Sequence, residues 1–331
     1  MVIAVDAVGG DHFPKVPVQG AVQALQENSE IEILLVGPKE MIQSELQEVE
    51  YDSDRIHILH APEIISMNES PAAAVKSKQS SSIAVGLTAH KRGECEAFVS
   101  AGNTGALLAA STFMLGKLEG VIRPTIAATY PTLKGVSLLT DAGANLELKP
   151  EMYLQFAKMS RILAKEILEI KNPTVGLMNV GEEPEKGLEL HKEVYHLLST
   201  LSYFSGNIEG KDILYGKTDI YLVDGFCGNV LLKFGESIPE ILQHLLKKTM
   251  AEDGVDPEMQ KKVFGILSKS LSAFNYEYVG GIPFLGVNGM SLVGHGGSSA
   301  VAIKNMIFNA VHCVKQQINK KIIASLNEKT D

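Results

Sequence analysis

The chain has 331 residues, 45% of them hydrophobic and 21% charged, and a formal net charge of −9. This is a globular composition with room for one large α/β domain or two smaller ones. It excludes a broad nucleic-acid-binding face, which needs a basic patch, and obliges any acidic partner to dock on a local patch against the overall field. No apolar run is long enough to span a bilayer. Asp6 follows directly on a short apolar strand, so the basic start and long apolar core of a secretory signal are missing, and a cytoplasmic location is expected. The cysteines, Cys95, Cys227 and Cys313, lie far apart without metal-type spacing. They fit a reducing compartment and read as small buried hydrophobes.

In chain order, strands are predicted over 2–8, 31–36, 55–60, 97–100, 136–140, 174–179 and 220–223. Several are apolar on both faces, as strands covered by helices on each side must be. Helical patterns lie between them, for example over 150–170 and 185–201. The alternation predicts a three-layer αβα fold of the α/β class, with a mostly parallel sheet and right-handed crossovers. There is no internal repeat or linker-like tract, so residues 1–331 read as a single domain.

One region breaks the pattern. Ile238, Ile241, Leu242, Leu245 and Leu246 share a helical face, and a polar turn over 251–256 leads to Pro257, suited to the first turn of a new helix. Val263, Phe264, Ile266, Leu267, Leu271 and Phe274 follow on a broad apolar face. A helical hairpin over 237–275 is expected to project from the sheet domain. It either packs against the core or a second subunit, or touches lipid or an acyl chain with its tip. Lys247, Lys248, Lys261, Lys262 and Lys269 flank the apolar face and suit an anionic membrane surface. Nearby acidic residues roughly offset them. The two readings are compatible, because the base can pair while the tip stays free.

In open α/β sheets ligands bind beyond the carboxyl ends of the strands. Five strand ends here carry Gly with Asp or Asn: Asp6 to His12, Ala101 to Gly105, Asp141 to Asn145, Asn179 to Gly181, and Asp224 to Asn229. Each alone is ordinary turn chemistry. Together, on one edge of one sheet, they are expected to line a cleft. Gly102-Asn103-Thr104-Gly105 and His295-Gly296-Gly297-Ser298-Ser299 each precede a helix, with Ser298 or Ser299 placed to cap the second. Both read as small-anion cradles, phosphate being the natural candidate, or as plain capped helices. The nucleotide P-loop, the dinucleotide Gly-x-Gly-x-x-Gly after the first strand, and the Gly-x-Ser-x-Gly nucleophile elbow are all missing. Anion cradles without a nucleophile motif point to the bound anion as the nucleophile.

At these motifs the chain resembles the bacterial phosphate acyltransferase family that acts on acyl-acyl carrier protein in phospholipid synthesis. The resemblance runs nearly end to end. It covers Ile3 to His12 with Pro14; Ser100 to Gly105; Asp141 to Asn145; Asn179-Val180-Gly181-Glu182-Glu183 with Lys186-Gly187; Asp224-Gly225-Phe226 with Gly228-Asn229-Val230 and Lys233; Gly280-Gly281 with Leu285-Gly286-Val287; and His295-Gly296 with Ser298. Departures are Val8 where Met is usual, Phe13 for a small residue, and Pro184 ahead of Lys186. The resemblance implies a fold related to isopropylmalate-dehydrogenase-like and phosphotransacetylase-like enzymes, a homodimer, peripheral membrane association, and no metal or organic cofactor. It implies acyl carrier protein as partner and acyl phosphate as product, which passes to a membrane glycerol 3-phosphate acyltransferase.

On this reading Lys186 is the expected charged catalytic residue, with His12 and His295 bonding phosphate or shuttling a proton. Asn103, Asn145, Asn179 and Asn229 position the phosphate and the pantetheine amides. Gly9, Gly10, Gly102, Thr104, Lys233, Gly296 and Ser298 complete the expected phosphate-binding set. Asp6, Asp11, Asp141 and Asp224 cannot all face a phosphate dianion; some cap turns or orient Lys186 and the histidines. Cys227 reads as a bystander against the alternative of an acyl-thiol intermediate. Two other functions stay open: a phosphotransacetylase-like enzyme using acyl-coenzyme A, and a non-catalytic membrane-docked scaffold.

Overall fold

The computed structural model describes residues 1–271 and 280–328. The strands are β1 (Val2–Asp6), β2 (Glu32–Gly37), β3 (Ile56–His60), β4 (Ala97–Ser100), β5 (Thr125–Thr132), β6 (Gly135–Thr140), β7 (Val175–Met178), β8 (Phe204–Ile208), β9 (Ile220–Leu222), β10 (Ile282–Leu285) and β11 (Ser291–Val293). The helices are α1 (Lys15–Glu27), α2 (Lys39–Leu46), α3 (Pro71–Ser77), α4 (Ser82–Lys91), α5 (Thr104–Met114), α6 (Pro150–Glu166), α7 (Glu189–Leu198), α8 (Gly225–Glu252), α9 (Pro257–Ser270), α10 (Ala300–Lys315) and α11 (Ile318–Asn327). All strands join one sheet in the order β3-β2-β1-β4-β11-β10-β5-β6-β9-β7-β8.

Seven neighbour pairings are parallel and three antiparallel, so the sheet is mixed but mostly parallel. The antiparallel pairings, β11–β10, β10–β5 and β5–β6, all lie in the middle. They divide the sheet into two parallel blocks running in opposite directions: β3, β2, β1, β4 and β11 on one side, and β6, β9, β7 and β8 on the other. The strand-end motifs were expected on one edge. The reversal puts those after β1, β4 and β11 on one edge and those after β6, β7 and β9 on the other.

Helices cover both faces, giving the expected three layers. One face buries the apolar sides of α1, α6, α7, α10 and α11, with Phe156, Leu163, Ile303 and Ile307 against Ile3, Val5, Leu138 and Val175. The other face buries α4 and α5 over the first block, around Leu87, Leu107, Phe98 and Phe284. Over the second block α8 covers a smaller cluster of Tyr130, Leu139, Tyr221 and Val223. The largest fully buried side chains include Tyr153, Tyr221, Phe98 and Phe156. Burying residues of this size stabilises the fold by about 1.5–3 kcal/mol each.

The expected hairpin is present as α8 and α9, but its first arm is longer than predicted. α8 starts at Gly225, directly after β9, and continues through Pro239. Asp224 caps it by accepting from the Cys227 N–H at 2.9 Å. After the turn, Asp256 caps α9 by accepting from the N–H groups of Glu258 and Met259, with Pro257 at the first position as expected. Phe274 and the end of the predicted hairpin, 272–275, lie outside the described residues.

Candidate active site

The first block supplies one wall through interlocked strand-end turns. Asp6, at the end of β1, is buried. Its Oδ1 accepts from the Val8 N–H at 3.2 Å, and its Oδ2 accepts from Ser100 Oγ at 2.6 Å. Ser100 Oγ in turn accepts from the Gly102 N–H at 3.0 Å. Burial pushes the Asp6 carboxyl above the usual aspartate range, although these donors favour its charged form. Asp6 therefore ties the turn after β1 to the turn after β4 and lies beneath the site, not on its surface. Only glycine fits where the turns touch: a Cβ at Gly9 would lie 2.8 Å from Asp6 Oδ2 and 2.9 Å from the Gly102 nitrogen. Gly10 adopts φ +95° against the Gly296 carbonyl, to which the Asp11 N–H donates at 2.8 Å.

Asn103 is committed to structure. Its Oδ1 accepts from the Ala106 N–H and caps α5, while its Nδ2 donates to the carbonyls of Ser66, Met67 and Glu69. The bonds draw the 66–69 loop over the start of α5. The N–H groups of Thr104 and Gly105, in the open first turn, meet no acceptor among the described residues. After β11, Ser298 Oγ donates to the His295 carbonyl at 2.6 Å, and Ser299 caps α10. The His295 Nδ1 accepts from the Gly297 N–H at 3.1 Å, which places the proton of a neutral ring on Nε2.

The second block builds the facing wall. Buried Asp141, after β6, accepts from the N–H groups of Gly143 and Ala144 and from Asn145 Nδ2 at 2.7 Å. Asn145 Nδ2 also donates to the Pro124 carbonyl. Burial again raises the carboxyl pKa. A Cβ at Gly228 would lie only 1.8 Å from the Asp141 carbonyl oxygen, so α8 rests directly on this loop. Asn179 closes its own loop, donating to the Lys186 carbonyl and accepting from the Val180 N–H.

The walls meet over the middle of the sheet around a cavity of about 480 Å³. Asp11, Thr104, Gly105 and Leu108 line it from the first block, and Gly143, Asn229, Leu232 and Lys233 from the second. Ile126, Tyr130, Ile282 and Val293 form the floor, and His295, Gly296 and Ser298 close one end. Lys233 Nζ lies 2.8 Å from Glu236 Oε2. Tyr130 is buried, its hydroxyl pKa raised by burial, and donates to the Leu231 carbonyl at 3.3 Å.

Of the predicted site residues, Asp11, Thr104, Asn229, Lys233, His295, Gly296 and Ser298 thus share the cleft. Asp6, Gly9, Gly10, Gly102 and Asn103 support one wall, and Asp141, Asn145 and Asp224 the other. Lys186, Asn179 and His12 are not among the lining residues. Lys186 is exposed on the loop after β7, its stem against Gly181. Cys227 is exposed outside the lining, its thiol pushed up by desolvation and by Asp224, which disfavours a thiolate nucleophile. Cys95 and Cys313 are buried, with thiols pushed up to about 12. Sequence reasoning missed Tyr130, Thr129 and Ile126. Their one signal was the β-branched and aromatic run of β5, interrupted by Pro131.

Oxygens of Glu182, Glu209 and Asp212 lie within 4.8 Å of one another away from the cleft. Lys217 ion-pairs there with Glu182 at 2.6 Å and Asp212 at 3.2 Å. A lysine already supplies the positive charge of that group.

Chemically, the cleft offers a tetrahedral anion an open helix start and a lysine, beside an apolar floor. Comparisons with known proteins give this arrangement a context. A phosphate acyltransferase from Chlorobaculum parvum is 46% identical over 99% of each chain, and one from Salinibacter ruber 48% identical over 93% of this chain and 92% of the relative. Among solved structures, a phosphotransacetylase from Streptococcus pyogenes superimposes with a TM-score of 0.62 at 14% identity, covering 95% of this chain and 94% of the other. A branched-chain phosphotransacylase from Enterococcus faecalis gives 0.57 at 14% identity, covering 95% and 99%. At such identities these structures show the fold alone, which is the phosphotransacetylase-like fold expected above. The model of the fatty acid synthesis protein family matches residues 1–321, and the chain belongs to that family.

Proposed function

We propose that the chain transfers a long-chain acyl group from an acyl-carrier-protein thioester to inorganic phosphate, releasing acyl phosphate and the free carrier protein for phospholipid synthesis. The observation that carries this reading is one cleft that combines the open first turn of α5, Lys233 and an apolar floor. The names of the relatives at 46% and 48% identity support it.

Phosphate bound by the Thr104 and Gly105 N–H groups and Lys233 attacks the thioester carbonyl carbon. The carbonyl oxygen becomes an oxyanion, which oriented donors stabilise. The carbon–sulfur bond then breaks, and the leaving thiolate, of a thiol with pKa about 8.5, departs with little help near neutral pH. Holding both substrates together supplies much of the rate. In this chain's own cleft the lysine in place is Lys233, so Lys233 takes the phosphate-facing role; a role for Lys186 rests on its motif alone.

A homodimer and peripheral membrane association belong to the same proposal. Along α8 the exposed Phe226, Val230, Phe234, Ile241 and Leu245 form an apolar stripe suited to a second copy, and on α9 Met259 is exposed near the hairpin tip and Ile266 farther along the helix. No described helix is long and apolar enough to cross a membrane. Lys247, Lys248, Lys261 and Lys262 are exposed candidates for docking an acidic carrier protein.

The test is incubation of the purified protein with long-chain acyl-acyl carrier protein, with and without phosphate, trapping acyl phosphate as a hydroxamate. Phosphate-dependent product supports the reading. No product from folded protein, with acyl-coenzyme A also inert, overturns it and favours the scaffold. The fold likeness to phosphotransacetylases keeps acyl-coenzyme A as a second donor to assay; faster turnover of coenzyme A thioesters would replace the carrier-protein assignment.

A further inference from the structure

The sheet is split where its two blocks meet. β5 and β10 pair only at Phe284↔Ile126 and Leu285↔Thr125. Beyond those pairs β10 stays with β11, through Pro283↔Leu292 and Ile282↔Val293, while β5 stays with β6 as far as Thr132↔Gly135. Pro283 has no N–H to give to a ladder, which suits a strand that leaves its neighbour here. Two cavities on opposite faces of the sheet meet at this split, because Thr129, Gly281 and Ile282 line both. One is the cleft. The other, about 340 Å³, lies between α6 and α10 and is walled by Leu138, Leu163, Ile167, Leu168 and Phe308.

The second cavity suits hydrocarbon. Two of its polar side chains are engaged within the protein: Asn309 Nδ2 donates to the Gly281 carbonyl at 2.9 Å, and His312 Nε2 lies 3.3 Å from Gln316 Nε2. Phe308 and His312 also line a third cavity, beside Glu27 and Lys315. The residues lining that cavity are mostly polar, Asn28 and Gln316 among them, so the apolar volume ends at the far cavity, towards the outer end of α10.

We propose that the far cavity receives the acyl chain of the substrate, threaded from the cleft through the split between β5 and β10. This rests on the acyl-transfer reading. The reacting carbonyl must sit beside phosphate in the cleft, which also has to hold the thioester and the end of the carrier arm. The remaining apolar volume continuous with the cleft lies across the sheet. Each methylene buried there raises kcat/KM roughly fourfold. A tail left in solvent gains nothing.

The test measures kcat/KM over a series of acyl-carrier-protein thioesters from hexanoyl to octadecanoyl. Ile167→Trp and, separately, Leu168→Trp fill the far cavity. In each variant the ratio of octadecanoyl to hexanoyl kcat/KM should fall by about fifteenfold, the equivalent of two lost methylenes. An unchanged ratio in both variants overturns the proposal. Should the variants fail to fold, an octadecanoyl thioester with a diazirine at its terminal carbon is photolysed on the wild-type enzyme. Label on 163–168 or Phe308 upholds the path; label on Leu108, Leu232 or the α8–α9 hairpin overturns it. Wild-type enzyme that transfers no acyl chain of any length to phosphate strikes the acyl-transfer reading instead.

Discussion

The two walls of the cleft are built from the same vocabulary, Gly with Asp or Asn at a strand end, and they use it differently. In the first block Asp6 bonds across to Ser100 of another strand, and a third turn joins through the Asp11 to Gly296 bond. Three turns are cross-linked into one surface that leaves the N–H groups of Thr104 and Gly105 facing the cleft. In the second block Asp141 bonds within its own loop, and Asn179 does the same. That wall reaches the cleft mainly through α8, which brings Asn229 and Lys233. The first wall presents backbone and the second presents side chains, so substitutions on the two walls should fail in different ways.

The largest effect is expected at Gly228, whose added Cβ would meet the Asp141 carbonyl at 1.8 Å. Gly228→Ala should lift α8 from its seat and cost about 3 kcal/mol, read from the urea midpoint. A change below about 1 kcal/mol would show that α8 is not held there. Next, Asp6→Ala leaves the Ser100 hydroxyl and the Val8 N–H without their acceptor. It should cost about 2 kcal/mol and weaken phosphate use as well, because the cradle turns lose their tie. Stability loss without any rise in KM for phosphate would uncouple the first wall from the site.

Lys233→Met removes the charge while keeping the stem. It should raise KM for phosphate about tenfold with little change in melting temperature. Lys186→Met should have a smaller effect on the same constant. A larger effect at Lys186 would show that its loop reaches a cleft in the working enzyme.

A smaller, pH-dependent effect belongs to His90. Its Nδ1 lies 2.9 Å from the Cys95 carbonyl, and its Nε2 accepts from the Met290 N–H at 2.9 Å, holding β11 beside β4. Burial lowers its pKa from 6.5. Below pH 6.5 the unfolded chain therefore binds more protons than the folded one, and this contribution is lost as pH falls through the folded value. Asp6 and Asp141 act in the opposite sense: their folded pKa values are raised, so their unfavourable contribution grows as pH rises from 3.8. His90→Gln should flatten the decline of melting temperature below pH 6.5; an unchanged slope would contradict the assignment. The smallest effect is expected at Cys227→Ser, whose kcat should stay within about twofold of wild type. Loss of activity there would revive the covalent intermediate.

The parallel strands β1, β2, β4 and β7 were legible because they are short apolar runs that end in, or within two residues run into, Gly, Asp or Asn. Four strands were not: β5, β8, β10 and β11. β5 and β10 carry Pro131 and Pro283, and β11 spans only Ser291–Val293. β5 and β10 are also the strands that reverse the sheet, so missing them put five motifs on one edge. The start of α8 was hidden for a packing reason. Gly225, Gly228 and Gly235 are poor helix formers, and Pro239 is worse still, about 3 kcal/mol less favourable than Ala. Each of these glycines lets the helix lie close to a neighbour, respectively the Asn145 backbone, the Asp141 carbonyl and the Tyr130 hydroxyl. For the site, the motifs marked the turns correctly but not which polar groups stay available. Asn103 and Asn145 look alike in sequence to Asn229, and only their hydrogen bonds distinguish scaffold from lining.

The central claim is that phosphate binds between the open turn of α5 and Lys233. Calorimetric titration of inorganic phosphate into wild-type protein and Lys233→Met tests it most directly. Binding should be saturable and weaken about tenfold in the variant; equal affinity in the two proteins, both folded, would contradict a phosphate site at Lys233.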